Sequence, residues 1–254
     1  MKHNRILFPL LMIAGMIGVV LRLWAMGAAA AAGGLPVDDH ITTYLTAILS
    51  IATVGAFLYF SLKSPDLGEH KNVLDYSLRQ FSLGMLGAIL ILAGAAVEFV
   101  ENLLFIPSLS SLFMCLGGFC AGISLMLVTY SRRTGSHRYP AAQLLPIVYL
   151  VIKLILNFKN WSTDPIILDY CFLLFALIFT LLAFYHSTGF FFNKGKSRKT
   201  LFFCLSAVFF SAMAAAEGIA GGSLSTFVTY LGFLVWCCPI ISALLAPAES
   251  PKNE

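Results

Sequence analysis

Long apolar runs dominate this chain. Several are about twenty residues, enough to cross a hydrocarbon core of ~30 Å as a helix. Repeated crossing constrains the fold severely. A chain in lipid must satisfy its own backbone polar groups, so only helices or closed barrels can span it. The alternation that marks barrel strands is absent. The sequence therefore reads as an all-α, polytopic integral membrane protein. Eight transmembrane helices are expected at about 6–30, 41–62, 77–100, 108–130, 140–158, 166–188, 200–220 and 225–245. Only 11% of the 254 residues are charged, against about 25% in soluble domains. No polar stretch is long enough to form a separate soluble domain.

The breaks between runs carry ordinary turn chemistry. Gly33-Gly34-Leu35-Pro36 follows the first run, and a polar loop occupies Lys63 to Asp75. Pro107 and Asp164-Pro165 open the fourth and sixth helices, since proline fits a helical first turn. Gly221-Gly222-Ser223 makes the last, tight connection. Met1 to about Ala32 also has the layout of a secretory signal: Lys2 and Arg5, an apolar core, then a small-residue run. Arg22 interrupts that core, and the segment matches the fifth helix, so retention is expected. Cleavage would leave seven helices.

The chain also reads as a tandem repeat. Leu86–Glu98 (LGAILILAGAAVE) is echoed 119 residues later by Leu205–Glu217 (LSAVFFSAMAAAE), and both end on glutamate. An offset of 131 aligns Pro9 with Pro140 and Arg22 with Lys153. An offset of 126 aligns Asp38 with Asp164, Tyr44 with Tyr170 and Tyr59 with Tyr185. An offset of 115 aligns Ser108-Leu109-Ser110 with Ser223-Leu224-Ser225. The expected domains are a four-helix repeat at 1–130, a second at 131–246, and a short cytoplasmic tail at 247–254. Four helices per copy is even, so the copies share one orientation, the parallel-repeat arrangement.

Charge placement sets that orientation. All but three of the 16 basic residues fall on one side of the proposed spans, the exceptions being Arg22, Lys153 and Lys159. The positive-inside rule then puts both termini in the cytoplasm of a plasma-membrane protein. The net charge of +4 follows from this and is no sign of a nucleic-acid partner. The lipid bilayer is the expected partner. A small polar solute and another membrane or cytoplasmic subunit are the further candidates.

The chemistry-bearing candidates are charges inside the apolar runs, each costing at least ~2.5–3.5 kcal/mol at the bilayer centre. Arg22, Lys153, Glu98 and Glu217 lie roughly 20–29 Å along their helices at 1.5 Å per residue, in the outer third of the membrane. Gly84, Gly87, Ile91, Gly94, Ala95 and Glu98 share one face, as do Gly15, Gly18 and Arg22. Small residues let helices approach closely, so these faces should point at other helices. Each copy thus supplies one base and one acid, which can pair within or between copies. Asn157 shares the Lys153 face, and Asp169 lies about one turn inside the sixth helix. Arg22, Glu98, Lys153, Asn157, Asp169 and Glu217 form the candidate solute-binding set. Tyr230 falls near the outer boundary with Trp24, Tyr44, Trp161 and Tyr170, as in an aromatic belt.

Catalytic and cofactor patterns are missing. There is no phosphate-binding glycine loop, no His-Glu-x-x-His and no Gly-x-Ser-x-Gly. The six cysteines sit inside apolar runs as small core residues, with no metal-ligand spacing. No catalytic residue, metal ligand or cofactor is assigned, and the sequence makes no case for an enzyme. The leading expectation is a carrier or substrate-binding membrane component for a small polar or charged solute, with an outward-facing site between the repeats. The alternative is a structural or accessory subunit whose buried ion pairs only stabilise packing.

Overall fold

The computed structural model describes residues 2–31, 41–67, 71–105, 109–135, 140–161 and 170–245. Gly33-Gly34-Leu35-Pro36, Pro107, Asp164-Pro165, Asp169 and the tail after Pro247 lie outside the described residues. Among those described, the chain forms eight α-helices. They are α1 (Lys2–Ala31), α2 (Ile41–Lys63), α3 (Leu78–Phe105), α4 (Leu109–Thr134), α5 (Leu144–Trp161), α6 (Cys171–Gly189), α7 (Ser197–Ala220) and α8 (Leu224–Leu245). Seven are long and apolar enough to cross a membrane; in α1 the apolar run covers Ile13–Gly27. The architecture is that of a polytopic helical membrane protein. Its outer faces carry Ile48, Ile51, Leu104, Ile123 and Ile155, all exposed. An apolar exterior of this extent needs lipid as its solvent.

Local chemistry explains where the helices start and stop. Ser77 and Gln80 form a reciprocal capping box at α3: the Ser77 N–H donates to Gln80 Oε1 at 2.8 Å, and the Gln80 N–H to Ser77 Oγ at 3.4 Å. α5 begins later than expected, after a 3-10 turn at Ala141–Gln143. Pro146 then falls in its first turn, where a missing N–H costs nothing. α3 runs five residues past its expected end near 100. Those residues include Glu101, which accepts bonds from the Ser225 N–H and hydroxyl at the start of α8. The tight α7–α8 connection falls where expected. Gly222 takes φ +71° there, and the Ser223 N–H closes on the Gly218 carbonyl at 2.9 Å.

Packing is organised around α7 and the α3–α8 crossing. α7 touches α1, α2, α6 and α8 and is buried on nearly every face from Leu201 to Gly218. A helix enclosed in this way is apolar all round. α3 packs along α4 and α8, and α5 along α4 and α6. The halves 1–130 and 131–246 are therefore interleaved, with α1 lying on α7 and α3 on α8.

Lipid gives no hydrophobic drive for helix association, so close van der Waals contact must supply it. The glycine face of α3 provides that contact. A Cβ at Gly87 would lie 2.6 Å from the Trp236 backbone nitrogen, and one at Gly232 would lie 2.8 Å from the Ile91 nitrogen. In α1, Gly18 faces Phe209 and Met213 of α7, while Gly15 has open space. Phe179 of α6 stacks flat on Phe210 of α7, with centroids 5.2 Å apart.

Gly87→Leu should therefore prevent close α3–α8 packing, costing at least the ~1–3 kcal/mol of an overpacked core. Gly55→Leu, where a side chain meets open space, should be tolerated. Thermal unfolding in detergent, followed by tryptophan fluorescence, compares the two. A Gly87→Leu protein that melts like the parent would contradict this crossing.

Candidate functional site: a buried layer of paired charges

The four intramembrane charges come together as two ion pairs, and each pair joins the two halves of the chain. Arg22 on α1 donates from Nε to Glu217 Oε1 on α7 at 2.6 Å. Lys153 on α5 donates from Nζ to Glu98 Oε2 on α3 at 3.3 Å. The base of each half thus takes the acid of the other. The exchange is reciprocal, but the two pairs are not alike.

Arg22–Glu217 is closed. Both side chains are buried, the bond is short, and α1 and α7 pack directly. The Arg22 guanidinium also lies 5.0 Å above the Phe172 ring of α6, in cation–π range. Close approach is possible because Gly18, one turn earlier on α1, brings the backbone against α7.

Lys153–Glu98 is looser. Glu98 keeps 22% of its side-chain surface exposed. A separation of 3.3 Å is long for a charge-assisted bond, which is usually 2.7–2.9 Å. α3 and α5 do not pack along each other; α4 packs against both. Gly118 of α4 makes this possible, since a Cβ there would meet Ala95 of α3 at 2.7 Å and the Tyr149 hydroxyl of α5 at 3.5 Å. Lys153 therefore bonds across to a helix its own does not pack along, whereas Arg22 bonds to a directly packed one. Lys153 also bonds the Tyr149 hydroxyl at 3.1 Å and lies 5.6 Å from that ring.

Neutral polar groups surround this second pair. Asn102, one turn beyond Glu98, is half-buried and donates to Cys115 Sγ at 3.6 Å. Asn157, one turn beyond Lys153, is half-buried as well. Both helices run the same way here, so each presents a charge and then an amide toward the same end. Glu101 is committed elsewhere, to the first turn of α8. Asp169, from the sequence-derived set, lies outside the described residues.

Tyr149 and Tyr230 belong to this layer and, like Asn102, are absent from the sequence-derived set. Tyr149 carried a legible signal, sitting four residues before Lys153 on its face as Asn157 sits four after. Tyr230 corrects an expectation. It is no belt residue: it is buried, bonds the Leu173 carbonyl at 3.5 Å, and lies close enough to interact with Lys153, Glu217, Tyr149 and Glu98. Its place on the α8 face with Phe233 and Trp236 was the available sign. Trp24 and Tyr44 do point outward.

A second polar centre lies at the opposite, basic end. Arg132, two residues past the expected end of the fourth helix near 130, sits in the last turn of α4 and is 1% exposed. It donates to the Tyr76 hydroxyl at 2.6 Å and the Ser187 carbonyl at 3.5 Å. The rings of Tyr76, Phe191 and Trp236 stand 5.3–5.6 Å from its guanidinium. Among the described residues no carboxylate pairs with it, so aromatic faces and helix-end carbonyls hold the charge. Burial pushes the Tyr76 phenol above its ordinary pKa, against the pull of Arg132. Gln143 donates to the Ser187 hydroxyl at 2.9 Å, which ties the entry of α5 to α6. This centre clamps helix ends together.

Among the described residues no group of three His, Cys, Asp or Glu could hold a metal ion. Cys115, Cys204 and Cys237 are buried, and Cys120 is exposed. The chain matches no family model, no curated protein and no solved structure.

Breaking the closed pair should cost more than breaking the looser one. Glu217→Gln removes the carboxylate that buried Arg22 bonds, at a cost of ~3–5 kcal/mol. Glu98→Gln should cost clearly less, because Glu98 is partly exposed and Lys153 keeps Tyr149. Denaturation midpoints of the two variants in one detergent measure the order; equal losses would contradict the contrast.

Proposed function

We propose that the protein is a plasma-membrane carrier, or the membrane-embedded binding component of one, for a small polar or charged solute. Its contact site is the Lys153–Glu98 pair, facing outward. One contrast carries this reading. Of two reciprocal pairs, one is short and closed, while the other is long, partly exposed, and bridges helices that are not packed on each other. An architectural pair has no need of that length and exposure. A solute site needs a charged contact whose partner can exchange, and intramembrane charges are where such sites are found.

In this reading the chain crosses eight times, α1 is retained, and the repeats at 1–130 and 131–246 are parallel copies. The reciprocal pairing supports the duplication. The packing has diverged between copies: α1 lies along α7, while the equivalent α5 is held away from α3 by α4. One copy of the ancestral pair then locks the bundle and the other is free to bind. The concentration of Lys and Arg at the end opposite the pairs supports cytoplasmic termini and an outward site.

A second reading has one observation in its favour. The closed Arg22–Glu217 pair is what a structural or accessory subunit would use to fix helix register. The two readings separate on solute binding. Purified protein is screened by thermal shift against small amino acids, carboxylates, amines and sugars. Under the carrier reading at least one solute stabilises the parent saturably, and Lys153→Met with Glu98→Gln abolishes the effect while the fold is kept. A folded parent that responds to none of them would support the accessory role instead.

A further inference from the structure

We infer that the solute of the Lys153–Glu98 site is a small zwitterion, carrying a carboxylate and an ammonium group but no net charge. This rests on the solute-site reading above and names the class of occupant. The first support is charge balance. Lys153 stands against Glu98, so the pair that a solute would enter carries no net charge. Glu101 does not alter this, because its carboxylate is bonded to the first turn of α8, the positive end of a helix.

A ligand enters this site by displacing one partner from the other. A lone anion on Lys153 would leave the Glu98 carboxylate without its cation. A lone cation on Glu98 would strand the Lys153 ammonium. Stranding a charge in such an environment is the costly outcome for any buried pair. A zwitterion avoids both costs. Its carboxylate takes the place of Glu98 on Lys153, its ammonium takes the place of Lys153 on Glu98, and both charges stay paired.

The neutral groups fit the same occupant. On α3 the order is Glu98, then Asn102 one turn on; on α5 it is Lys153, then Asn157 one turn on. The two helices that the ion pair links thus carry an anion, a cation and two amides, each amide one turn beyond its charge. Among the described residues Asn102 donates to a thiol, at 3.6 Å. A thiol is a weak acceptor that a ligand oxygen would readily replace. The Tyr149 hydroxyl already accepts from Lys153 at 3.1 Å and holds the ammonium in place while its carboxylate partner is exchanged.

The test uses the full chain in nanodiscs with glycine, β-alanine and γ-aminobutyrate, whose charge separation increases in that order, and with glycine betaine, which keeps the glycine spacing on a quaternary nitrogen. Acetate and methylammonium serve as single-charge controls. Thermal shift and calorimetric titration are the readouts. At least one zwitterion should bind saturably, and neither single-charge ion should bind at the same concentration. Lys153→Met with Glu98→Gln should abolish binding. Should that variant fail to fold, Asn102→Ala with Asn157→Ala leaves the ion pair intact. It should weaken binding about three- to tenfold, in line with the loss of one or two hydrogen bonds. Pair-dependent binding of acetate or methylammonium alone would overturn the zwitterion assignment and leave the solute site standing. Zwitterion binding that survives both variants unchanged would also overturn it. No binding by any probe, here or in the wider screen, would remove the solute site itself.

Discussion

A charge inside a lipid-solvated bundle must meet a counter-charge, and here that requirement ties distant parts of the chain together. Arg22 meets Glu217 across 195 residues of sequence, and Lys153 meets Glu98 across 55. Neither pair can form until α1 lies on α7 and α3 and α5 flank α4. Four uncompensated charges would each cost at least ~2.5–3.5 kcal/mol on insertion scales. Arrangements that separate the halves are penalised accordingly. The crosswise pairing thus acts as a register for the whole bundle, independent of whether a solute binds.

The pairs depend in turn on how closely the backbones approach. Gly18 lets α1 reach α7; Gly87 and Gly232 let α3 and α8 cross; Gly118 lets α4 contact α3 and α5 together. Lipid contributes no hydrophobic drive to these crossings, so contact itself must hold them. The contrast between the two pairs follows from the same geometry. Directly packed helices give the short Arg22–Glu217 bond. Helices separated by α4 give the longer, partly exposed Lys153–Glu98 bond.

Much of this was legible in the residues. Apolar runs located the helices, and the Gly84 to Ala95 stripe marked the face of α3 that meets its neighbours. Isolated charges in apolar runs identified the pairs' four members. The choice of partner was not legible, because pairing within and between halves satisfies the charges equally until the packing is known. Leu86–Glu98 and Leu205–Glu217 read alike in sequence, yet Leu86 and Ile89 face outward while Leu205 to Glu217 are almost wholly enclosed. An apolar residue suits lipid and protein interior equally, so the pattern could not separate them. Arg132 and Tyr230 misled for a related reason. At helix ends the sequence cannot tell a snorkelling or belt residue from one turned into the bundle.

The crosswise pairing is tested most directly by double-mutant cycles over all four base–acid combinations, with stability measured in one detergent. Coupling energies between contacting residues commonly run ~0.5–3 kcal/mol. Arg22 with Glu217, and Lys153 with Glu98, should show coupling in that range, the first larger. Arg22 with Glu98, and Lys153 with Glu217, should be additive within error. Coupling concentrated in the latter two combinations would mean that each half pairs its own charges, and would contradict the interleaved bundle.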